Sequence, residues 1–269
     1  MGKFSGMMIA SDIDGTILPH MGKISDRNIR AINYFKENGG IFTLVTGRSI
    51  VAAKYIADEI GISVPLVVDN GALIYDCRTD EILYKADLPQ CAENILENIL
   101  LKFPECSGET YLDRDLFVIN PNVHIINHVE NIERTSYEDK TVTVKDCPKP
   151  WQKVLMACDE DLAEKVYEYG ITLPHEGINI VRSSKHNVEL VPKCSTKGQG
   201  TLKLAGMLNI ERKNLFTAGD YLNDRELIAA GGKSFAPMDA HEEIKKSADF
   251  VFGKCEDGLI ADIIEYIEK

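Results

Sequence analysis

Apolar runs and amphipathic periods alternate along the first eighty residues. Met7 to Ala10 form a short apolar strand that runs straight into Asp12-Ile13-Asp14-Gly15-Thr16. A helical period follows, with Ser25 or Asp26 as N-cap, Ile29, Ile32 and Phe35 on one face, and Gly39-Gly40 as the stop. Residues 41–46 (IFTLVT) read as a second buried strand. Ile50, Ala53, Ile56, Ala57 and Ile60 then mark a second helix ending at Gly61. A third strand, Leu66 to Asp69, precedes Asn70-Gly71 and the hairpin-like ALIYDCRTDEILYKADL. Continuously apolar strands alternating with amphipathic helices predict a parallel sheet covered on both faces.

From about residue 84 the texture changes. A helix is expected over 89–103, β-like segments around 109–119, 141–145 and 153–158, and a helix over 160–169. Two strands, Ile178 to Val181 and Asn187 to Val191, are joined by a polar turn. This pattern predicts an inserted α+β domain with an antiparallel sheet. After Pro192 the earlier alternation resumes: a helix at 196–208, a strand from Leu215 to Ala218, a helix at 223–231, a strand near 233–236 and a final helix at 257–268. The expected architecture is a doubly wound Rossmann-like α/β core, residues 1–83 and 189–269, interrupted by an α+β cap at 84–188.

Composition narrows the function classes. The chain has 269 residues, enough for two domains without disulfide or metal staples. Its 42 acidic against 30 basic residues give a formal charge of −12, the wrong balance for a nucleic-acid binder or an anionic membrane surface. An anionic substrate would need a local positive group or a metal to overcome that field. No apolar run approaches a membrane span, and the N-terminal MGKFSGMMIASD lacks a secretory h-region. The seven cysteines are odd in number and never spaced Cys-x-x-Cys, so they read as reduced thiols of a cytoplasmic protein. A monomer or weak homodimer is expected.

Four segments could carry chemistry. Asp12 and Asp14, two apart at the carboxyl end of the first strand, share a face and can converge on one point; two such carboxylates need a cation or a raised pKa. An Asp-rich turn is the ordinary alternative. Thr46-Gly47-Arg48 ends the second strand, where a hydroxyl beside backbone amides can hold a phosphoryl oxygen or simply cap a helix. Lys197 begins the helix after Pro192. Gly219-Asp220-Tyr221-Leu222-Asn223-Asp224 closes the strand Leu215 to Ala218 with groups suited to Mg²⁺. All four fall on one rim of the predicted sheet.

DIDGTIL, LVTGRS, the late Lys-Gly and GDYLND, in that order, resemble the four motifs of the haloacid dehalogenase superfamily of phosphatases. VDNGALIYD, VELVP…STKG and FAPMDAHEEIKKSAD…EDGL are similar to its Cof-type branch, and the insert resembles that branch's α/β cap. The resemblance implies an aspartyl-phosphate formed on Asp12, with Asp14 as acid and base. It implies Mg²⁺ held by Asp12, the Asp14 carbonyl and Asp220, with Asp224 and Asn223 in support, and phosphoryl oxygens bound by Thr46 and Lys197. A cap that closes over the core would read the leaving group. Ser11 stands where an apolar residue is more usual, and Tyr221 where a small polar one is; Tyr221 is expected to narrow the site.

The leading expectation is a Mg²⁺-dependent phosphomonoesterase of small phosphorylated metabolites, with sugar phosphates foremost. The alternatives are a phosphotransferase or phosphomutase using the same Asp12, and a non-catalytic phosphate-binding or signalling protein. Receivers that signal through a phosphorylated Asp are near half this length and have no cap. Arg48, Asn70 and Gly71 lie where a substrate's second group would rest. His124 and His128 have helical metal-ligand spacing, but no third ligand is near in sequence. Arg182, Lys185 and His186 read as a solvated turn, and Trp151 as cap packing.

Overall fold

The structure, a computed structural model, describes residues 2–19 and 21–269. In chain order the elements begin with β1 (Met8–Ser11), α1 (Asp26–Glu37), β2 (Ile41–Leu44), α2 (Ile50–Glu59), β3 (Leu66–Val68), β4 (Leu73–Asp76) and β5 (Glu81–Lys85). They continue with α3 (Cys91–Lys102), β6 (Ser107–Leu112), β7 (Asp115–Ile119), α4 (Val123–Asn131), β8 (Lys153–Ala157), α5 (Glu160–Gly170), β9 (Ile178–Arg182) and β10 (Asn187–Pro192). The chain closes with α6 (Lys197–Met207), β11 (Leu215–Ala218), α7 (Arg225–Ala230), β12 (Lys233–Pro237), α8 (Glu242–Ser247), β13 (Phe250–Phe252) and α9 (Cys255–Glu268).

The chain divides into two compact units. The first comprises the segment ending at Gly47, Ala53–Leu83 and Thr196–Lys269; the second comprises Arg48–Ala52 and Tyr84–Ser195. In the first unit a parallel sheet runs β13-β12-β11-β1-β2. Every residue of β1 and β11 is buried, so helices must cover both faces. α1 packs on α9 and α6 on α7. The first pair is fixed by Arg27, which donates to Asp262 (2.6 Å) and Glu265 (2.8 Å), and by the Ala261 amide on Asn28 Oδ1 (3.1 Å). A parallel Val45–Val67 bridge links the end of β2 to β3, which heads a separate sheet, β3-β4-β5.

The second unit carries an antiparallel sheet, β7-β6-β8-β10-β9. Alternation along the strands sends Val154, Met156, Val188 and Leu190 to one face, where α3 and α5 supply Ile95, Ile99, Ala163 and Val166. The opposite face packs Tyr111 and Leu155 against Ile125 and Val129 of α4. Trp151 is buried in the first of these cores, as its sequence context suggests.

The boundaries and several elements differ from expectation. The return to the core expected at residue 189 falls inside β10, whose Val188 and Leu190 belong to the cap core; the first unit resumes at Thr196. The segment 141–145 is irregular and turn apart from one bridge, Val118–Thr141, and the short α4, α8 and β13 lie outside the elements the sequence predicts. The helix expected at 223–231 is a 3₁₀ turn, Leu222–Asp224, followed by α7. No helix among the described residues is long and apolar enough to cross a membrane.

Candidate active site

β1 and β11 are parallel neighbours with Ser11 opposite Ala218, so Asp12 and Gly219-Asp220 leave the sheet side by side. The Asp12 amide donates to the Ala218 carbonyl (2.9 Å). Ser11 uses its hydroxyl to donate to the Asp12 carbonyl (2.8 Å), which satisfies a polar group with no solvent exposure. Gly15 adopts φ +83°, and a Cβ there would stand 2.3 Å from Asp220 Oδ2; glycine alone allows this approach. Thr16, which the sequence did not single out as a site residue, donates to Asp220 Oδ1 (3.1 Å). Its position in the Asp-x-Asp-Gly-Thr run was the available signal. Asp14 is half-buried beyond the strand end, two residues from Asp12.

Lys197 is the first residue of α6, whose N-cap Thr196 accepts from the Gln199 amide. Its ammonium donates to Asp12 Oδ1 (2.7 Å) and Asp224 Oδ1 (2.6 Å), and all three side chains are buried. Two helix-weakening glycines make the approach possible. A Cβ on Gly198 would lie 2.2 Å from the Glu226 carbonyl, and one on Gly200 2.6 Å from Val67. Asp224 Oδ2 accepts from the amides of Asp220 (3.0 Å) and Tyr221 (3.1 Å), so this carboxylate holds both the lysine and the loop carrying Asp220. Asn223 is half-buried in the same 3₁₀ turn. Tyr221 lies edge-on to His241 (5.6 Å between ring centres) and keeps about a third of its surface exposed, so it caps the loop from outside.

Asp69-Asn70-Gly71 ties the end of β2 to the start of α6. The Thr46 amide donates to Val67, and the Asn70 amide donates to the Thr46 carbonyl (2.9 Å). Asn70 is left-handed (φ 56°), and its side-chain amide lies about where a Cβ on Gly47 would touch it, at 3.0 Å. Gly71, at φ +95°, backs onto Thr196, whose carbonyl oxygen would stand 2.2 Å from an added Cβ. Gly71→Ala is therefore expected to push Thr196-Lys197 away from Asp12, costing about 1–3 kcal/mol of stability and lowering kcat more than KM. Thermal melts and steady-state kinetics on one preparation check both. Arg48, buried in the second unit, donates to the Ile132 carbonyl (3.3 Å).

The electrostatics are dominated by burial. It pushes the Asp12 carboxyl well above the usual carboxylate range; Asp224, Asp220 and Asp14 push the same way, and Lys197 pulls it back. Burial alone would lower the Lys197 ammonium, but its contacts with Asp12 and Asp224 outweigh that and hold it above its usual range. Asp12, Asp220 and Asp224 each offer an oxygen within 4.8 Å of the others. Three carboxylates against one ammonium leave an excess of negative charge in the interior, and oxygen donors of this kind fit a hard divalent cation.

The remaining candidates take other partners. His124 bonds Asp159 (2.8 Å) and stacks on His186, whereas His128 bonds Glu109 (2.8 Å), so the two histidines do not share a ligand. Arg182 donates to Glu164 and to the Lys185 carbonyl, closing its own turn.

A parallel α/β core with paired acidic strand ends, a lysine between them and an inserted α+β unit defines the haloacid dehalogenase type of hydrolase. The sequence profile of the haloacid dehalogenase-like hydrolases matches residues 9–264, and the chain belongs to that family. It is similar to a phosphatase, YwpJ, of Bacillus subtilis (26% identical, 91% of this chain and 93% of that one). It is also similar to the pyridoxal phosphate phosphatase YbhA of Escherichia coli (25%, 96% and 97%). Among solved structures, a haloacid dehalogenase-like hydrolase from Bacteroides thetaiotaomicron superimposes with TM-score 0.86 at 23% identity, over 97% of this chain and 99% of that one. The enzyme is a phosphatase of this family.

Proposed function

We propose that this enzyme hydrolyses phosphomonoesters of small cytoplasmic metabolites, sugar phosphates foremost, with Asp12 as nucleophile and Mg²⁺ as cofactor. The observation that carries the reading is Lys197 bridging Asp12 and Asp224 inside the buried acidic cluster. A carboxylate held by an ammonium has one oxygen fixed and the other directed, as an in-line attack on phosphorus requires.

Asp12 attacks phosphorus and the bond to the ester oxygen breaks, leaving an aspartyl-phosphate. Asp14 gives its proton to the departing oxygen. It then takes a proton from the water that attacks the phosphoenzyme, releasing inorganic phosphate and restoring Asp12. Thr46 and Lys197 hold the phosphoryl oxygens, with the Asn70 turn keeping Thr46 beside α6 and Gly47 leaving room at the β2 end. Asp12, Asp220 and the Asp14 carbonyl would hold Mg²⁺, and Asp224 would anchor the loop and lysine beside it. Bound there, Mg²⁺ would offset the carboxylates against an incoming dianion. Arg48, Asn70, Gly71 and Asn223 are proposed to shape the substrate side. Among the relatives, the pyridoxal phosphate phosphatase acts, by its name, on a phosphate ester of a small metabolite.

The test is phosphate release from a panel of sugar phosphates, nucleotides and p-nitrophenyl phosphate. Release is expected with Mg²⁺, with loss in EDTA and recovery on adding Mg²⁺ back. Uncatalysed monoester hydrolysis is so slow that weak turnover stands far above background. Silence across the panel from folded protein would sink the reading. Label appearing on a second sugar in place of free phosphate would mark a phosphotransferase.

A further inference from the structure

The second unit holds a buried cluster of metal-ligating side chains that the phosphatase chemistry does not use. Glu109 sits on β6, on the face that alternation assigns to α4. His128 lies in the last turn of α4, and Glu133 follows that helix by two residues. Each offers a ligand atom within 4.8 Å of the others. Glu109 has no solvent exposure and Glu133 has 1%.

Four of the polar atoms are accounted for. His128 Nδ1 and Glu109 Oε2 are 2.8 Å apart. Glu133 Oε1 accepts from the Tyr111 hydroxyl (3.1 Å), and Oε2 from the Ser49 amide (3.1 Å). The second oxygen of Glu109, Oε1, is enclosed and has no hydrogen-bond partner among the described residues. Leaving a carboxylate oxygen so enclosed carries a desolvation cost unless something binds it. Two cations lie nearby: Lys153, opposite Tyr111 in the sheet register with Nζ 3.7 Å from the Tyr111 ring centre, and Arg48, which donates to the Ile132 carbonyl next to Glu133.

We propose that Glu109, His128 and Glu133 form a divalent transition-metal site in the second unit, separate from the Asp12 cluster. One imidazole nitrogen with two carboxylate oxygens suits a zinc-class ion; Mg²⁺ and Ca²⁺ prefer oxygen alone. Ligand atoms about 2.0–2.2 Å from such an ion stand roughly 3.3–3.6 Å apart. The 2.8 Å His128–Glu109 contact must open slightly and the longer spans close, movements within reach of side chains. Tyr111 and the Ser49 amide already orient Glu133, as outer partners of a ligand do. His128, part-exposed, gives the ion its way in. Bound there, the ion would pin the end of α4 to β6. This proposal stands apart from the phosphatase reading.

Zinc itself is the probe. Chelator-stripped full-length protein, dialysed against Zn²⁺ with excess Mg²⁺ to occupy the Asp12 cluster, is expected to hold one zinc equivalent. Asp220→Asn should keep that equivalent, whereas Glu109→Gln and His128→Ala should bind it at least tenfold more weakly. Co²⁺ added to the unaltered protein needs no variant to fold. It should give visible d–d bands of a nitrogen–oxygen site, without the ultraviolet charge transfer of thiolate ligation. Equal zinc content in the unaltered protein and His128→Ala would overturn the proposal, as would zinc lost with Asp220→Asn or a thiolate band on cobalt.

Discussion

Asp12→Asn is expected to abolish turnover and, without divalent cations, to make the protein more stable. An amide cannot form the acyl phosphate that the proposed mechanism requires, so kcat should fall by roughly 10⁴-fold or more. The stability gain follows from the raised Asp12 pKa, which burial causes first and Asp224 next. A carboxyl raised on folding contributes most below its unfolded value, and that contribution is lost as pH climbs through the folded value. Asparagine does not titrate. In EDTA the melting temperature of Asp12→Asn should therefore exceed that of the unaltered enzyme by a margin that grows from pH 5 to pH 8, and Mg²⁺ should shrink the margin. A variant that is inactive and less stable at every pH would show that Lys197 outweighs the burial of Asp12.

Lys197→Met separates the lysine's two tasks. Methionine fills similar space but leaves Asp12 and Asp224 buried without their shared ammonium. Removing one partner from a buried ion pair costs about 3–5 kcal/mol, so a large fall in denaturation midpoint is expected in EDTA. Because the cluster is then more negative, Mg²⁺ should restore more stability to the variant than it adds to the unaltered enzyme. Turnover should remain about 10²–10³-fold down even at saturating Mg²⁺, because the proposed donor to the transferring phosphoryl group is gone. Normal stability in EDTA together with normal turnover would remove Lys197 from the centre of the site.

Much of the core was legible because its signals are local. Four short apolar strands each ended in Asp, Thr or Gly, and parallel packing puts strand ends on one rim. Asp12 and Asp220 follow from that alone, since β1 and β11 pair in register. The link from Asn70 and Gly71 to Thr196 depends on left-handed backbone and on a contact across the sequence, which no periodicity encodes. The cap was harder. α4 and α8 are too short to build a clear period, and β10, though read as a strand, carries no mark of which sheet it joins. The double duty of Asp224, lysine on one oxygen and two amides on the other, is likewise invisible until the loop has folded. His128 sits four residues after His124, a helical spacing that points only to that histidine; its partners, Glu109 and Glu133, come from a strand and from the segment after the helix.

The pairing of Asp12 with Lys197 spans 185 positions of the chain. In the time frame of synthesis, at ~5–20 residues per second, Asp12, the proposed nucleophile, waits roughly 10–40 s on the ribosome before its counter-ion exists. During that wait β1 lacks its neighbour β11, while the whole stretch from Tyr84 to Ser195 has already been made. A chain halted before Thr196 thus carries an exposed apolar strand edge and an acidic loop without its lysine, which makes it a substrate for chaperones and proteases and chemically silent. On the proposed chemistry, activity begins only once Lys197 and β11 have been made, so a copy halted before them would release no phosphate.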